Sequence, residues 1–216
     1  MRAQSRPDLL LLISLLLLIF LYPVLDHGDV RRVIVAGLTF LPVILSTIRL
    51  SQTKSWMWPS VLLMLGILIV GVVSSFVPNR ALLGIRWGLL AAFFAIAVLG
   101  LFSYLKNART ILSAHLYTAV SIYLLLGIIW FAIYCAIESV YPGSFVRNNN
   151  TLTDRQSELL YFSLVTLSTV GYGDVVPLYG EVRILAAMEG ITGVLYIAIT
   201  VAVLVSAFKL QSSSEE

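Results

Sequence analysis

Six stretches of this chain are almost free of charge and, some only loosely, long enough to cross a hydrocarbon core. Such a core is about 30 Å thick and takes about 20 helical residues. The stretches run from Leu9 to Leu25, Val33 to Ile48, Trp56 to Val77, Ala81 to Leu105, Ser113 to Ile137 and Val182 to Phe208. In hydrocarbon each must pair its own backbone polar groups, so each is expected to be a helix. Pro23 and the polar DHGD close the first, and Pro42 inside the second predicts a kink. Arg86 and Trp87 lie about one turn inside the fourth, where an arginine reaches back to the surface and a tryptophan sits at headgroup level.

With 59% hydrophobic and 12% charged residues, the 216-residue chain falls outside the range of soluble domains and reads as an all-α membrane protein. Its net charge of +3 is spread singly or in pairs between apolar runs. That placement marks membrane boundaries and gives no reason to expect a nucleic-acid partner. Arg2 and Arg6 before LLLLISLLLLIF look like a secretory leader, but no small-x-small site follows, so a retained first span is expected. Cys135 stands in an apolar run and reads as a small apolar residue. His27 and His115 stand apart with no metal-like spacing, and no nucleophile and base pair or phosphate loop suggests an enzyme. Asn149, Asn150 and Thr151 fit a glycosylation sequon, a common chance pattern.

Between the fifth and sixth stretches lies an apolar run, Leu159 to Val170, too short to cross. It predicts a re-entrant segment, because irregular backbone at membrane depth survives only where protein buries it or water lines it. Thr153 and Gln156 have capping-box spacing, and Asp154 and Glu158 suit the positive end of a helix running to about Ser168. The negative end of that helix would then point inward, where it favours a cation. Thr169 to Gly173 follow. A strand that aims successive carbonyls one way must alternate its backbone conformation, and Gly171 and Gly173 allow that cheaply. Val170 and Tyr172 would turn their side chains away and pack the strand from behind. Stacked carbonyls of this kind replace the hydration shell of an ion.

The string Thr169, Val170, Gly171, Tyr172, Gly173 resembles the signature of the tetrameric pore-loop potassium channels, over the half of the chain from the fifth span to Phe208. The resemblance implies that the carbonyls of Thr169, Val170, Gly171 and Tyr172, with the Thr169 hydroxyl, bind transported potassium ions, with no organic cofactor. It implies Asp174 at the outer mouth, a homotetramer around one pore, and a multi-pass protein of the cell membrane among its lipids. The lysines and arginines divide evenly between the two faces, so the positive-inside rule is indecisive. By the resemblance the filter faces outside and both termini are cytoplasmic. Residues 1–110 would form a four-helix membrane domain and 111–216 the pore domain.

Two departures stand out. Where well-studied members carry a glutamate and tryptophans bracing the filter, this chain has Val165, Tyr161 and Phe162, of which only Tyr161 has a hydrogen bond to offer Asp174. A weakly selective cation channel, or a non-conducting subunit with a pore-like fold, are the alternatives this raises. The fourth span holds one arginine, Arg86, with Arg80 just outside. A charge moved through 100 mV gains only about 2.3 kcal/mol, so voltage sensing needs several, and steep voltage gating is not expected. By the same alignment Gly190 stands at a hinge position, and Ile191, Val194, Ala198 and Ala202 face an inner cavity.

Glu189 is the one carboxylate inside a predicted span, at a cost of about 2.5 to 3.5 kcal/mol on insertion scales. It is read as a support of the filter, bonded to Ser163, Thr166 or filter backbone, with a proton-sensitive gate as the alternative.

Overall fold

The computed structural model describes residues 5–24, 39, 41–47, 54–77, 79–106, 113–148, 150–152 and 155–212. Among the described residues these elements follow one another, with a further helical segment at 41–47: α1 (Ser5–Val24), α2 (Lys54–Phe76), α3 (Arg80–Lys106), α4 (Ser113–Val140), β1 (Phe145–Arg147), β2 (Asn150–Thr151), α5 (Arg155–Leu167), β3 (Val175–Pro177) and α6 (Gly180–Ser212). Of the expected second stretch, residues 41–47 are helical and most of the rest lies outside the described residues. Thr153, Asp154 and His27 also lie outside them, so the expected capping box is not among the features described.

Among the described residues, three helical segments are both long and apolar enough to cross a membrane: Arg80–Leu105, His115–Val140 and Gly180–Val203. Pro7–Pro23 and Trp58–Ser74 are apolar but shorter. The chain is mostly helical, as an all-α membrane protein should be.

α4 is the central helix. It packs along α3 more extensively than any other pair of elements touch, and it also contacts α1, α5 and α6. On α1 the buried residues Leu11, Leu15, Leu18 and Tyr22 recur at three- and four-residue spacing and so form one face toward α4. The Tyr22 ring meets Phe131 edge-on at 5.7 Å, and its hydroxyl donates to Gln156 Oε1 at 2.8 Å, so α1 reaches the first turn of α5. Phe131 also takes the edge of Trp87 at 5.4 Å, beside Arg86, whose guanidinium lies 6.0 Å from that ring. Between membrane helices such close packing, rather than expulsion of water, is the source of association. Cys135 is buried and unpaired, in keeping with its reading as a small apolar side chain.

The loop between α4 and α5 supplies β1 and β2, which with β3 form a small antiparallel sheet ordered β2-β1-β3. Arg147 pairs with Asn150 and with Val175, and Phe145 with Pro177. Asn148, next after β1, takes φ 46°, a conformation asparagine tolerates better than most. Phe145 is fully buried, its ring 5.3 Å from both Tyr134 and Phe162, which fastens the sheet to α4 and α5. Glu138 ties the intervening turn by accepting the amides of Gly143 at 2.8 Å and Phe145 at 3.3 Å.

Candidate functional site: a carbonyl-lined strand behind a short helix

α5 ends at Leu167, and its last carbonyls fold the following residues back on the helix. Ser168 N donates to Leu164 O at 3.1 Å, Thr169 N to Thr166 O at 2.9 Å, and Gly171 N to Val165 O at 3.0 Å. The strand that leaves the helix alternates in handedness: Thr169, Gly171 and Gly173 take φ 61°, 49° and 75°. Two of these positions are glycines, which enter that region at almost no cost. Thr169 is β-branched, and there it bears strain on the order of 1–2 kcal/mol. Glycine freedom was the sequence signal for the alternation; the strained threonine that begins it was not foreseen.

A backbone that alternates in this way can aim successive carbonyls to one side. Among the described residues no donor bonds the carbonyls of Thr169, Val170, Gly171 or Tyr172, while the amides of Thr169 and Gly171 are spent on α5. Thr169, Gly171, Tyr172 and Gly173 are all exposed in the single chain. Backbone oxygens left open within an otherwise apolar protein call for water, a cation or further protein. Below Thr169 lies a concave surface of about 370 Å³, lined by Thr169, Ala187, Gly190, Ile191, Val194 and Leu195. Of the four residues expected to face a cavity, Ile191 and Val194 line this hollow, and Ala198 and Ala202 lie exposed further along α6.

The outer end of the strand is held by groups from three elements. Tyr161, from α5, donates its hydroxyl to Asp174 Oδ1 at 3.0 Å, and its ring lies parallel to that of Tyr172 at 6.4 Å. Arg147, from β1, reaches Asp174 Oδ2 at 3.3 Å and Glu158 Oε1 at 3.6 Å. Asn148 N donates to Asp174 O at 3.1 Å. The sheet makes this possible, because the pairing of Arg147 with Val175 sets the guanidinium beside Asp174. Sequence reasoning identified Tyr161 and missed Arg147; its only trace was the run of asparagines between β1 and β2.

Partial burial pushes the Asp174 carboxyl up. The Tyr161 hydroxyl, the amides of Asp174 and Val175 and the Arg147 guanidinium outweigh it, so the net shift is below the ordinary 3.8. A depressed carboxylate stabilises the fold above its unfolded pKa, and the contribution is lost as pH falls through the folded value. This network should therefore persist from neutral pH down to about 3.8 and fail only in stronger acid. Tyr161→Phe removes one of the lowering groups, and loss on acidification should then begin at higher pH. Thermal stability followed from neutral pH into acid tests this; identical acid limbs in the two proteins would mean that the Tyr161 bond contributes nothing.

Behind the strand, Glu189 of α6 is completely buried. Its Oε2 lies 2.6 Å from the Tyr134 hydroxyl on α4, and its Oε1 lies 2.6 Å from Ser163 Oγ on α5. Ser163 was one of the partners expected for it; Tyr134, 55 residues away in sequence, was not. Gly190 lies beside the end of α5, where an added Cβ would meet Thr166 O at an ordinary 3.6 Å. The tighter approach is one turn on. A Cβ on Gly193 would overlap the Leu167 carbonyl oxygen and lie 2.9 Å from its carbon.

A family model described as "Ion channel" matches residues 118–209, from the second turn of α4 through the strand to the last turns of α6. A protein of Rhodopseudomonas palustris named "Putative potassium channel protein" is 43% identical over 51 residues, 24% of this chain and 12% of the relative. This chain thus aligns with about an eighth of that relative's length. No solved structure matches the chain.

Proposed function

We propose that this chain, which belongs to the pore-loop potassium channel superfamily through residues 118–209, forms a potassium-selective passive pore as a homotetramer. The observation that carries the reading is the alternation of φ at Thr169, Gly171 and Gly173 together with the unpaired carbonyls of Thr169 to Tyr172. One such strand offers a dehydrated cation only one side of a cage, and four around an axis would complete it. The exposed apolar side chains of α6, among them Ile184, Met188, Ile191 and Val194, would then face neighbouring subunits, lipid or the cavity. In this reading α5 is the re-entrant pore helix, and Thr169, Val170, Gly171, Tyr172 and Gly173 are the filter, with Asp174 at its outer mouth.

Tyr161, Arg147 and the sheet supply the bracing for which the sequence showed no glutamate or tryptophan, and this favours a selective over a loosened filter. The protein would sit in the cell membrane with six spans and both termini cytoplasmic. Residues 1–110 would pack around a pore domain of 111–216, with Tyr22 tying α1 to the pore helix. α3 carries Arg80 and Arg86 alone as basic residues before its last turn, too few for steep voltage sensing.

Reconstitution into liposomes under opposed potassium and sodium gradients tests the proposal. The reversal potential should follow potassium, and conductance should change little with voltage, in wild type and in Arg86→Gln alike. A reversal potential midway between the two ions would indicate a weakly selective pore; no flux at all would indicate a non-conducting subunit.

A further inference from the structure

The contacts around Glu189 raise a question of proton number. Three short oxygen pairs meet there: Tyr134 hydroxyl to Glu189 Oε2 at 2.6 Å, Glu189 Oε1 to Ser163 Oγ at 2.6 Å, and Ser163 Oγ to Gly127 O at 2.7 Å. Each needs one hydrogen. Tyr134 supplies the first and Ser163 supplies one of the other two, because a hydroxyl carries a single proton. The Gly127 oxygen is a backbone carbonyl and has none to give. The third hydrogen must come from Glu189 itself: Oε1 carries it and donates to Ser163 Oγ, which passes its own proton to Gly127 O.

We infer that Glu189 is held as a neutral carboxylic acid that clamps α4, α5 and α6 together behind the filter strand, and that its deprotonation releases the clamp and closes the pore. Every link joins a different pair of elements. Tyr134 and Gly127 belong to α4, Ser163 to α5 and Glu189 to α6. Ser163 stands six residues before Thr169 on the helix whose end sets the strand, so a displaced Ser163 displaces the filter with it.

The surroundings suit a neutral acid. From α4 the titratable groups that face Glu189 are Tyr134 and, near enough to feel its charge, Tyr123. α5 presents Ser163, while its own titratable residues, Arg155 and Glu158 in its first turn and Tyr161 at its middle, engage Glu138, Arg147 and Asp174. β3, which also packs on α6, has no titratable side chain. No lysine or arginine pairs with Glu189 among the described residues. A carboxylate there would leave Ser163 to choose between Gly127 and Glu189, and would bury a charge with no counter-ion.

The inference rests on the proposed pore and makes a prediction that a simple ionised anchor does not. Glutamine has the shape of the neutral acid: its carbonyl accepts from Tyr134, its amide donates to Ser163, and it cannot titrate. Glu189→Gln should keep potassium selectivity and give a flux unchanged from about pH 6 to about pH 10, a range in which buried carboxyls lose protons. Wild-type flux should fall reversibly toward the alkaline end. Glu189→Leu, which leaves two hydroxyls to find other partners, should lower the potassium-to-sodium permeability ratio at least about tenfold.

An infrared difference spectrum between wild type and Glu189→Gln gives a readout independent of flux. At neutral pH it should show the carbonyl stretch of a protonated acid, lost on alkalinisation. Absence of that band at neutral pH overturns the inference whatever the flux does. So does a shared pH profile, or a Glu189→Gln protein as unselective as Glu189→Leu. The band without flux in any variant would sink both the pore reading and the closing step inferred here, leaving only the protonated contact.

Discussion

Gly193→Ala is expected to abolish potassium flux, while Gly190→Ala, three residues away on the same helix, should conduct within about twofold of wild type. The difference is steric. The added methyl at 193 would occupy the space of the Leu167 carbonyl oxygen, lie 2.9 Å from its carbon and 3.3 Å from Leu167 Cδ1. Backbone cannot rotate out of the way as a side chain does, so α6 or the end of α5 must move. Helix propensity pulls the other way, since alanine in place of a helical glycine gains about 1 kcal/mol. Overpacking of this severity costs about 1–3 kcal/mol or more at each copy, and in a tetramer it is paid four times. The shift would also be delivered two residues before Thr169, which is already strained. At 190 the methyl meets Thr166 O at 3.6 Å and only the propensity gain remains. Potassium flux from liposomes, with size-exclusion profiles to register assembly, tests the pair; equal flux from both variants would show that α6 and α5 do not approach this closely.

The long helices were legible because a continuous apolar run in a membrane protein has little choice of backbone. α3 and α4 follow the expected stretches closely, and α6 begins two residues before the expected Val182. The sheet was not legible. Its strands are two or three residues long and stand on a pairing with partners up to 32 positions away, which no local window reports. Hints were present in Val175 and Val176 and in the asparagines after Arg147, but they gain meaning only once Phe145 is seen buried against Tyr134 and Phe162.

The backbone of Thr169 to Gly173 was legible at its two glycines for the opposite reason: positive φ selects glycine, and Gly171 and Gly173 write that geometry into the sequence. Gly190 and Gly193 show the limit of that reading. Both are glycines on one helix face, and only the position of Leu167 decides which of them has no room for a side chain. The Glu189 contact was half legible: a carboxyl in a greasy helix needs partners, and a serine on α5 was an evident one, whereas Tyr134 is chosen by helix packing alone.

Substitutions at Gly171 should lower potassium selectivity in the order Asn, Ala, Val, with Gly171→Val essentially unselective. Nothing within 4 Å would meet a Cβ at this position in the single chain, so the penalty comes from the backbone. At φ 49° a non-glycine residue costs about 1–2 kcal/mol, less for asparagine and more for a β-branched residue. In the proposed homotetramer four copies would amount to about 4–8 kcal/mol, comparable to the 5–15 kcal/mol that holds an ordinary domain together. A strand under that load would relax to negative φ at 171, which in the proposed pore would turn one ring of carbonyls away from the axis and remove a site for a dehydrated ion. Thr169 cannot take up the difference, because its own φ of 61° is already unfavourable. Permeability ratios measured across the series, with melting temperatures in potassium and in sodium, separate a lost ion site from general instability. Potassium should raise the wild-type melting temperature more than sodium does, and that gap should shrink in the same order as selectivity. A selective Gly171→Val protein with its potassium-dependent gap intact would show that the carbonyls of this strand are not the ion's ligands.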